Sequence, residues 1–196
     1  MQSKPHDLSH RLPTLRAPGV ELRWLTLADA PALYEIFSEP EVARFLGVPR
    51  LRSRAAADRR ILDTHAAFND RTLFEWGLVS TEGGAAPGAV LGTCTLADIS
   101  WPNRRAQLGF ALGRAHWGRG LMSRAVPLLV GYAFESLGLH RLEADADPRN
   151  AASLRLIERL GFRREGYLRE RYIQEGEIQD AVFYGLLESD WEALGA

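Results

Sequence analysis

The most constraining feature of this chain is the junction Leu112-Gly113-Arg114-Ala115-His116-Trp117-Gly118-Arg119-Gly120-Leu121-Met122. It falls between a segment with strand character, Arg105 to Leu112, and the longest helical pattern, Leu121 to Leu137. A strand, a glycine turn and a helix start together make an anion site. Glycines let the backbone approach without a Cβ clash, and the unpaired N–H groups of the first helical turn point at the same spot. Arg114 and Arg119 add positive charge. A tight turn with ordinary glycines is the plain alternative for an isolated glycine pair.

Spacing separates the phosphate loops that compete for this stretch. A Walker A loop needs Lys and then Ser or Thr after its second glycine, whereas Gly118 is followed by Arg119 and Gly120. A dinucleotide fingerprint needs a third glycine where Ser123 stands, and an early place after the first strand of a βαβ unit. Neither fits.

The surrounding pattern predicts one mixed α/β domain. Period-two alternation or strand-like composition marks Val20 to Leu25, Phe74 to Ser80, Val90 to Asp98, Arg105 to Leu112, His140 to Ala146, Arg163 to Tyr172 and Ala181 to Leu187. Helical spacing marks Leu27 to Phe37, Ser53 to Phe68, Leu121 to Leu137 with Pro127 inside it, and Ala151 to Leu160, with Asn150 as N-cap and Gly161 as stop. The Gly83 to Gly88 stretch reads as the turn of an antiparallel hairpin. The expectation is a central sheet of about six or seven strands flanked by about four helices, over residues 18–196. Residues 1–17 form an extension that lies on the surface or pairs weakly with an edge.

Composition narrows the function classes. With 196 residues and 46% hydrophobic content the chain suits one well-buried domain. Charge is balanced, 24 basic against 25 acidic residues, which argues against nucleic acid or an anionic membrane as partner. No apolar run is long enough to span a bilayer, Met1 to His10 has no leader-like apolar core, and the single cysteine, Cys94, suits a reducing cytoplasm. The five histidines are scattered and none forms a close pair with ligand spacing, so no metal is expected.

Three segments beyond the glycine loop carry a resemblance. Gly118-Arg119-Gly120-Leu121-Met122, Asn150-Ala151-Ala152-Ser153 and Leu160-Gly161-Phe162-Arg163-Arg164-Glu165-Gly166 resemble, in order and separation, the acetyl-CoA loop, the helix start and the closing segment of the GCN5-related N-acetyltransferase (GNAT) superfamily. The branch they are most similar to is the RimJ/RimL-like one, which acetylates ribosomal protein N-termini. Leu22 to Gly47 is similar to the family's opening strand and helix, and the resemblance covers nearly the whole chain from about Leu12. Two positions depart from the family. Ala115 replaces the usual Gln or Arg of the loop, and Ile157 stands where many members carry a tyrosine acid.

The resemblance implies acetyl transfer from acetyl-CoA to a primary amine, on a protein N-terminus or a small molecule, by a monomer or homodimer. It implies a cofactor site at Phe110, Leu112, Arg114, Trp117, Gly118, Arg119, Gly120, Leu121, Met122, Asn150 and Ser153. Pantetheine would enter where two parallel strands splay apart, and a backbone N–H near Phe110 to Leu112 would polarise the thioester. Ser153 would donate to the leaving thiolate, or else only support the helix cap. Asn150 would bond the pantetheine arm, cap the helix, or do both. Glu165 matches a proposed base position; a solvated structural carboxylate is the alternative there, and Glu75 is the second base candidate. Cys94, mid-strand and without a neighbouring base, reads as a structural thiol, and His116 as a loop residue. Trp101, Trp117, Tyr167 and Tyr172 are candidates for an acceptor groove. A CoA-binding sensor without turnover and a ligand-free interaction domain are the competing readings.

Overall fold

The computed structural model describes residues 10–82 and 88–195. Eight strands form one sheet: β1 (Leu15–Ala17), β2 (Val20–Trp24), β3 (Phe74–Ser80), β4 (Val90–Ser100), β5 (Arg105–Leu112), β6 (Arg141–Ala146), β7 (Arg163–Gln174) and β8 (Glu177–Leu187). Their spatial order is β1-β2-β3-β4-β5-β6-β8-β7. All neighbours run antiparallel except β5 and β6, which are parallel. Among the described residues six α-helices accompany them: α1 (Ala30–Ser38), α2 (Pro40–Ala43), α3 (Arg54–Asn69), α4 (Leu121–Gly131), α5 (Ala151–Arg159) and α6 (Glu188–Ala193).

The mixed sheet matches the expected class, with one more strand and two more helices. The additional strand is Leu15–Ala17, which pairs with β2 as an edge. At three residues it is too short to show alternation. The two additional helices, α2 and α6, have four and six residues, less than two turns, and leave no periodic stripe to read. The hairpin pairing of β3 with β4 is present; residues 83–87 of its turn lie outside the described residues.

Each face of the sheet carries its own core. On one, Leu121, Ala125, Val126 and Leu129 of α4 and Leu156 and Ile157 of α5 pack on Ala106, Leu108, Leu142 and Ala144. On the other, Leu33, Ile36 and Phe37 of α1, Val42 of α2 and Ile61 of α3 pack on Val79, Val90 and Ala111. The departure at Ile157 is a core position: its side chain is 2% exposed.

Helix ends follow their local chemistry. Ser53 Oγ accepts from Ala56 N–H to open α3, and Asn150 Oδ1 accepts from Ser153 N–H to open α5. The long helical pattern is helical to Gly131 and then widens into a π turn over Tyr132–Ser136. Pro127 sits within α4, and its missing N–H withholds one intrahelical bond there.

The parallel pair is the feature that positions the site. β5 and β6 are paired at Arg105 with Arg141, Ala106 with Leu142 and Gln107 with Glu143, and no further. Beyond Gln107, β5 stays paired with β4 to Leu112, and beyond Glu143, β6 stays paired with β8 to Ala146. The two strands therefore part at their carboxyl ends.

Candidate acetyl-CoA site

At the mouth of this gap lies a cavity of about 660 Å³. Phe110, Ala111 and Leu112 form its floor, and Trp117, Gly118, Gly120, Leu121, Met122 and Ser123 one wall. Arg149 to Ser153, with Leu156 and Arg159 of α5, form a second wall, and Glu41, Val42, Phe45 and Leu46 close the far end. Nine of the eleven residues expected to hold the cofactor thus meet in one cavity; Arg114 and Arg119 are not among its lining residues.

The glycine loop has the backbone an anion site requires. Gly118 and Gly120 have φ of +73° and +70°, in the left-handed region that favours glycine, and a Cβ on either would meet nothing within 4 Å. Gly120 is the N-cap of α4 and no side chain caps the helix there. The first-turn N–H groups and the positive end of the helix dipole therefore face the cavity without an acceptor from a capping side chain.

Arg114 and Arg119 flank this backbone from outside. Arg114 pairs with Glu41 and lies 4.7 Å over the Trp117 ring. Trp117 Nε1 donates to Leu112 O at 2.7 Å, fastening the loop to the end of β5. Arg119 approaches His116 Nδ1 at 3.4 Å. Burial, together with the charge of Arg119, pushes the His116 pKa down.

A strand residue sends its N–H and C=O to the same side, and its neighbours send theirs to the opposite side. Gly113 N–H bonds Leu91 O of the β4 strand, so the odd positions of β5 face β4. Leu112 and Phe110 then turn their N–H groups into the gap. Ser153 lies across it in the cavity wall, and its hydroxyl has no hydrogen-bond partner among the described residues. Asn150 spends Oδ1 on the cap and keeps its Nδ2 donors for the cavity.

The structure does not bring Glu165 to this place. Its carboxylate is held by both terminal nitrogens of Arg141. Arg141 pairs with Arg105 at the closed end of the parallel strands. From Arg105 to Phe110 is about 16 Å at ~3.3 Å per residue. The hydrogen bond from Arg141 holds the Glu165 carboxyl below the usual carboxylate range, which makes it a weak base. A match to the family's proposed base position carries no information about which way the β7 carboxylate turns in this chain. Glu75 is also occupied: it is 1% exposed and accepts from Arg60 at 2.6 Å and Thr64 at 3.0 Å.

One further carboxylate, Asp145, was not among the expected site residues and stands beside the gap, outside the lining of the cavity. It lies on β6 just past the last paired residue, opposite Gly109 across the gap, and a Cβ on Gly109 would meet only Thr95, at 3.9 Å. Asp145 accepts from Gln107 Nε2 and from Tyr172 Oη, each at 2.5 Å, and has no ion pair among the described residues. Burial and this bond push the Tyr172 pKa up, so the phenol stays a donor. Alternation of Arg141, Glu143 and Asp145 places the three on one face; only the strand pairing separates Asp145, hydrogen-bonded but without an ion pair among the described residues, from the salt-bridged Glu143. The remaining aromatic candidates divide: Trp117 lines the cavity, Tyr167 bonds Asp180, and Trp101 Nε1 bonds Arg71 O. Cys94 is buried, and burial raises its pKa, as for a structural thiol. No group of three metal-binding side chains occurs among the described residues, nor does any helix there have the length and apolarity to cross a membrane.

Comparison with known proteins follows this geometry. Residues 20–163 match the family described as "Acetyltransferase (GNAT) domain". An uncharacterized N-acetyltransferase, p20, of Bacillus licheniformis is 32% identical over 91% of this chain and 98% of its own length. The putative ribosomal N-acetyltransferase YdaF of Bacillus subtilis is 29% identical over 88% of this chain and 93% of its own. Among solved structures, the crystal structure of a probable acetyltransferase superposes with a TM-score of 0.81 at 27% identity, covering 91% of this chain and 99% of that one.

Proposed function

The chain belongs to the GNAT acetyltransferase family, and from that premise we propose that it moves an acetyl group from acetyl-CoA to a primary amine by direct attack while both are bound. The observation that carries this reading is the joining, in one cavity, of the uncapped α4 N-terminus and the gap between β5 and β6. We assign a protein or peptide N-terminus as acceptor, in line with the ribosomal substrate named for the Bacillus subtilis relative; a small-molecule amine is the alternative.

When bound, acetyl-CoA supplies an activated acetyl group and a thiolate leaving group. The loop backbone at Gly118 and Gly120 and the N–H groups of Leu121 and Met122 receive the pyrophosphate. Arg114 and Trp117 hold the loop in shape, and Arg119 adds charge at its rim. Phe110 and Leu112 N–H groups donate to the carbonyl oxygen as negative charge grows on it, in the manner of an oxyanion hole. Asn150 Nδ2 orients the pantetheine arm, and Ser153 Oγ gives a hydrogen bond to the departing thiolate, which takes up the second proton that the attacking nitrogen sheds as the amide forms. Asp145 takes the place first assigned to Glu165: it receives the acceptor's ammonium group and accepts its proton, freeing the lone pair for attack.

Thermal unfolding tests the cofactor half of this reading, with acetyl-CoA as ligand and pantetheine, which lacks the pyrophosphate, as control. At ligand ~100 times its dissociation constant the native state gains roughly 2.7 kcal/mol, a rise in Tm of about 5 to 11 °C for a domain of this size. A shift with acetyl-CoA alone supports the loop assignment. No shift with either ligand returns the chain to the interaction-domain reading. Binding without thiol release, against Ala- and Ser-initiated peptides, spermidine and glucosamine, favours the sensor.

A further inference from the structure

Among the described residues, five glycines stand inside strands: Gly77, Gly92, Gly109, Gly166 and Gly185. A glycine within a strand weakens it, having no side chain to pack and more backbone freedom to lose, so each calls for a reason. Packing supplies it for three. A Cβ on Gly77 would run into Leu25, one on Gly92 into Ala111 O, and one on Gly185 into the Glu165 carboxylate. Gly166 stands at a bulge, where the register of β7 and β8 shifts. Gly109 has none of these reasons. It pairs with Thr95 between the regular pairs of Cys94 with Phe110 and Leu96 with Leu108, and its φ lies outside the left-handed region. It is half-buried, yet an added Cβ would find only Thr95, at 3.9 Å.

The space left by this missing side chain has a definite address. Positions 107, 109 and 111 of β5 share one face of the sheet, where Ala111 lies in the core under α1 and Gln107 bonds Asp145. Helices α4 and α5 pack on the other face. The amide that joins Gly109 to Phe110 carries the N–H turned into the gap, so a thioester carbonyl held by it lies beside the Gly109 Cα. An attacking amine must come within about 3–3.5 Å of the carbonyl carbon. Approaching from the face opposite α4, with Asp145 as its proton acceptor, it stands over residue 109. We propose that Gly109 is the floor of the acceptor subsite and determines its specificity, the space above it receiving the substituents of the amine-bearing carbon. An amine on a branched carbon, as at a peptide N-terminus, then fits beside the thioester. The inference rests on the reading of Asp145 and the Phe110 N–H as the two sides of the reaction.

Gly109→Ala puts one methyl group into that space. The full-length wild type and variant are compared in Tm, in acetyl-CoA affinity by titration calorimetry, and in kcat/KM with an Ala-initiated and a Gly-initiated peptide, which differ only in branching at the amine-bearing carbon. Filling a strand glycine should raise Tm by about 1 to 4 °C, and acetyl-CoA affinity should not change. For the Ala-initiated peptide kcat/KM should fall at least about tenfold, the scale of one methyl group in a fitted site; for the Gly-initiated peptide it should fall several times less. A variant with full activity on the Ala-initiated peptide, or with equal losses on both, would overturn the proposal and leave the acetyl-transfer reading intact. So would a lowered Tm, which would make Gly109 a backbone requirement of the parting strands. A wild type that binds acetyl-CoA and releases no thiol with either peptide would instead remove the peptide-acceptor reading, and this inference with it.

Discussion

The two ends of the parallel strand pair differ in how fully their charges are paired. At the closed end, Arg105 and Arg141 both meet Glu143, at 2.7 and 2.9 Å, Arg141 also holds Glu165, and Arg163 meets Asp190 at 2.6 Å. At the open end Arg114 pairs with Glu41 and Arg149 with Asp147 and Glu177, whereas Arg155, Arg159 and Asp145 have no salt bridge among the described residues and no side chain caps the α4 N-terminus. Charges that satisfy one another hold strands in register and offer little to a ligand. Groups left without a partner carry a desolvation and repulsion cost that a bound charge can relieve, which is why such groups cluster at sites.

The sharpest way to break this contrast is at Glu75, a compensated group that sequence reading had placed among the possible bases. If Glu75 is a strut between α3 and β3, Glu75→Ala leaves Arg60 facing the sheet without its carboxylate. Stability should fall by about 3 kcal/mol, the scale for breaking a buried ion pair. Urea unfolding should show a lower midpoint, and the folded protein should bind acetyl-CoA as before. A variant of unchanged stability that has lost turnover would make Glu75 catalytic and erase the distinction.

The next largest effect belongs to the open end. Gly120→Val forces a branched side chain into φ of +70°, at a cost of about 1–2 kcal/mol. It also projects a Cβ into the space where the pyrophosphate would sit. Acetyl-CoA affinity should fall about tenfold or more, roughly 1.4 kcal/mol per decade, as read by titration calorimetry. Unchanged affinity would sink the loop assignment.

How far the sequence could be read follows the same division. β3 and β5 coincide with their expected spans, and the glycine loop, the Asn150 cap and the Gly161 stop, with φ of +87°, fall as expected, because each depends on local backbone chemistry. The nine expected residues that meet at the cavity sit in the glycine loop, at helix starts and at a strand end, where a motif fixes direction as well as position. Glu165 and Asp145 were not. On β7 and β6 the sequence gives each carboxylate a strand and a face, but the pairing that neutralises Glu165 and spares Asp145 depends on Arg141 and on where β5 parts from β6. Those are contacts between segments distant in the chain. The short α2 that supplies Val42 to the cavity was hidden for a simpler reason, having too few residues for a period.

The smallest effect, and the one that sharpens the comparison most, is at Glu165. Gly185 lies beside it on β8, and a Cβ there would fall within 2.7 Å of the Arg141 guanidinium, so the neighbouring strand leaves room for the ion pair. Glu165→Gln should keep turnover and acetyl-CoA affinity, and lose at most about 1 kcal/mol of stability, since the carboxylate is 42% exposed and water screens the pair. Arg141 lowers the folded pKa of Glu165. The pair's stabilisation is therefore fully present above the unfolded glutamate value of about 4.3 and is lost as pH falls through the lower folded value. The stability gap between wild type and Glu165→Gln should be widest near neutrality and close below about pH 4. A Glu165→Gln protein of normal stability with turnover reduced a hundredfold would return the proton to Glu165, and would require a conformation in which Arg141 lets the carboxylate go.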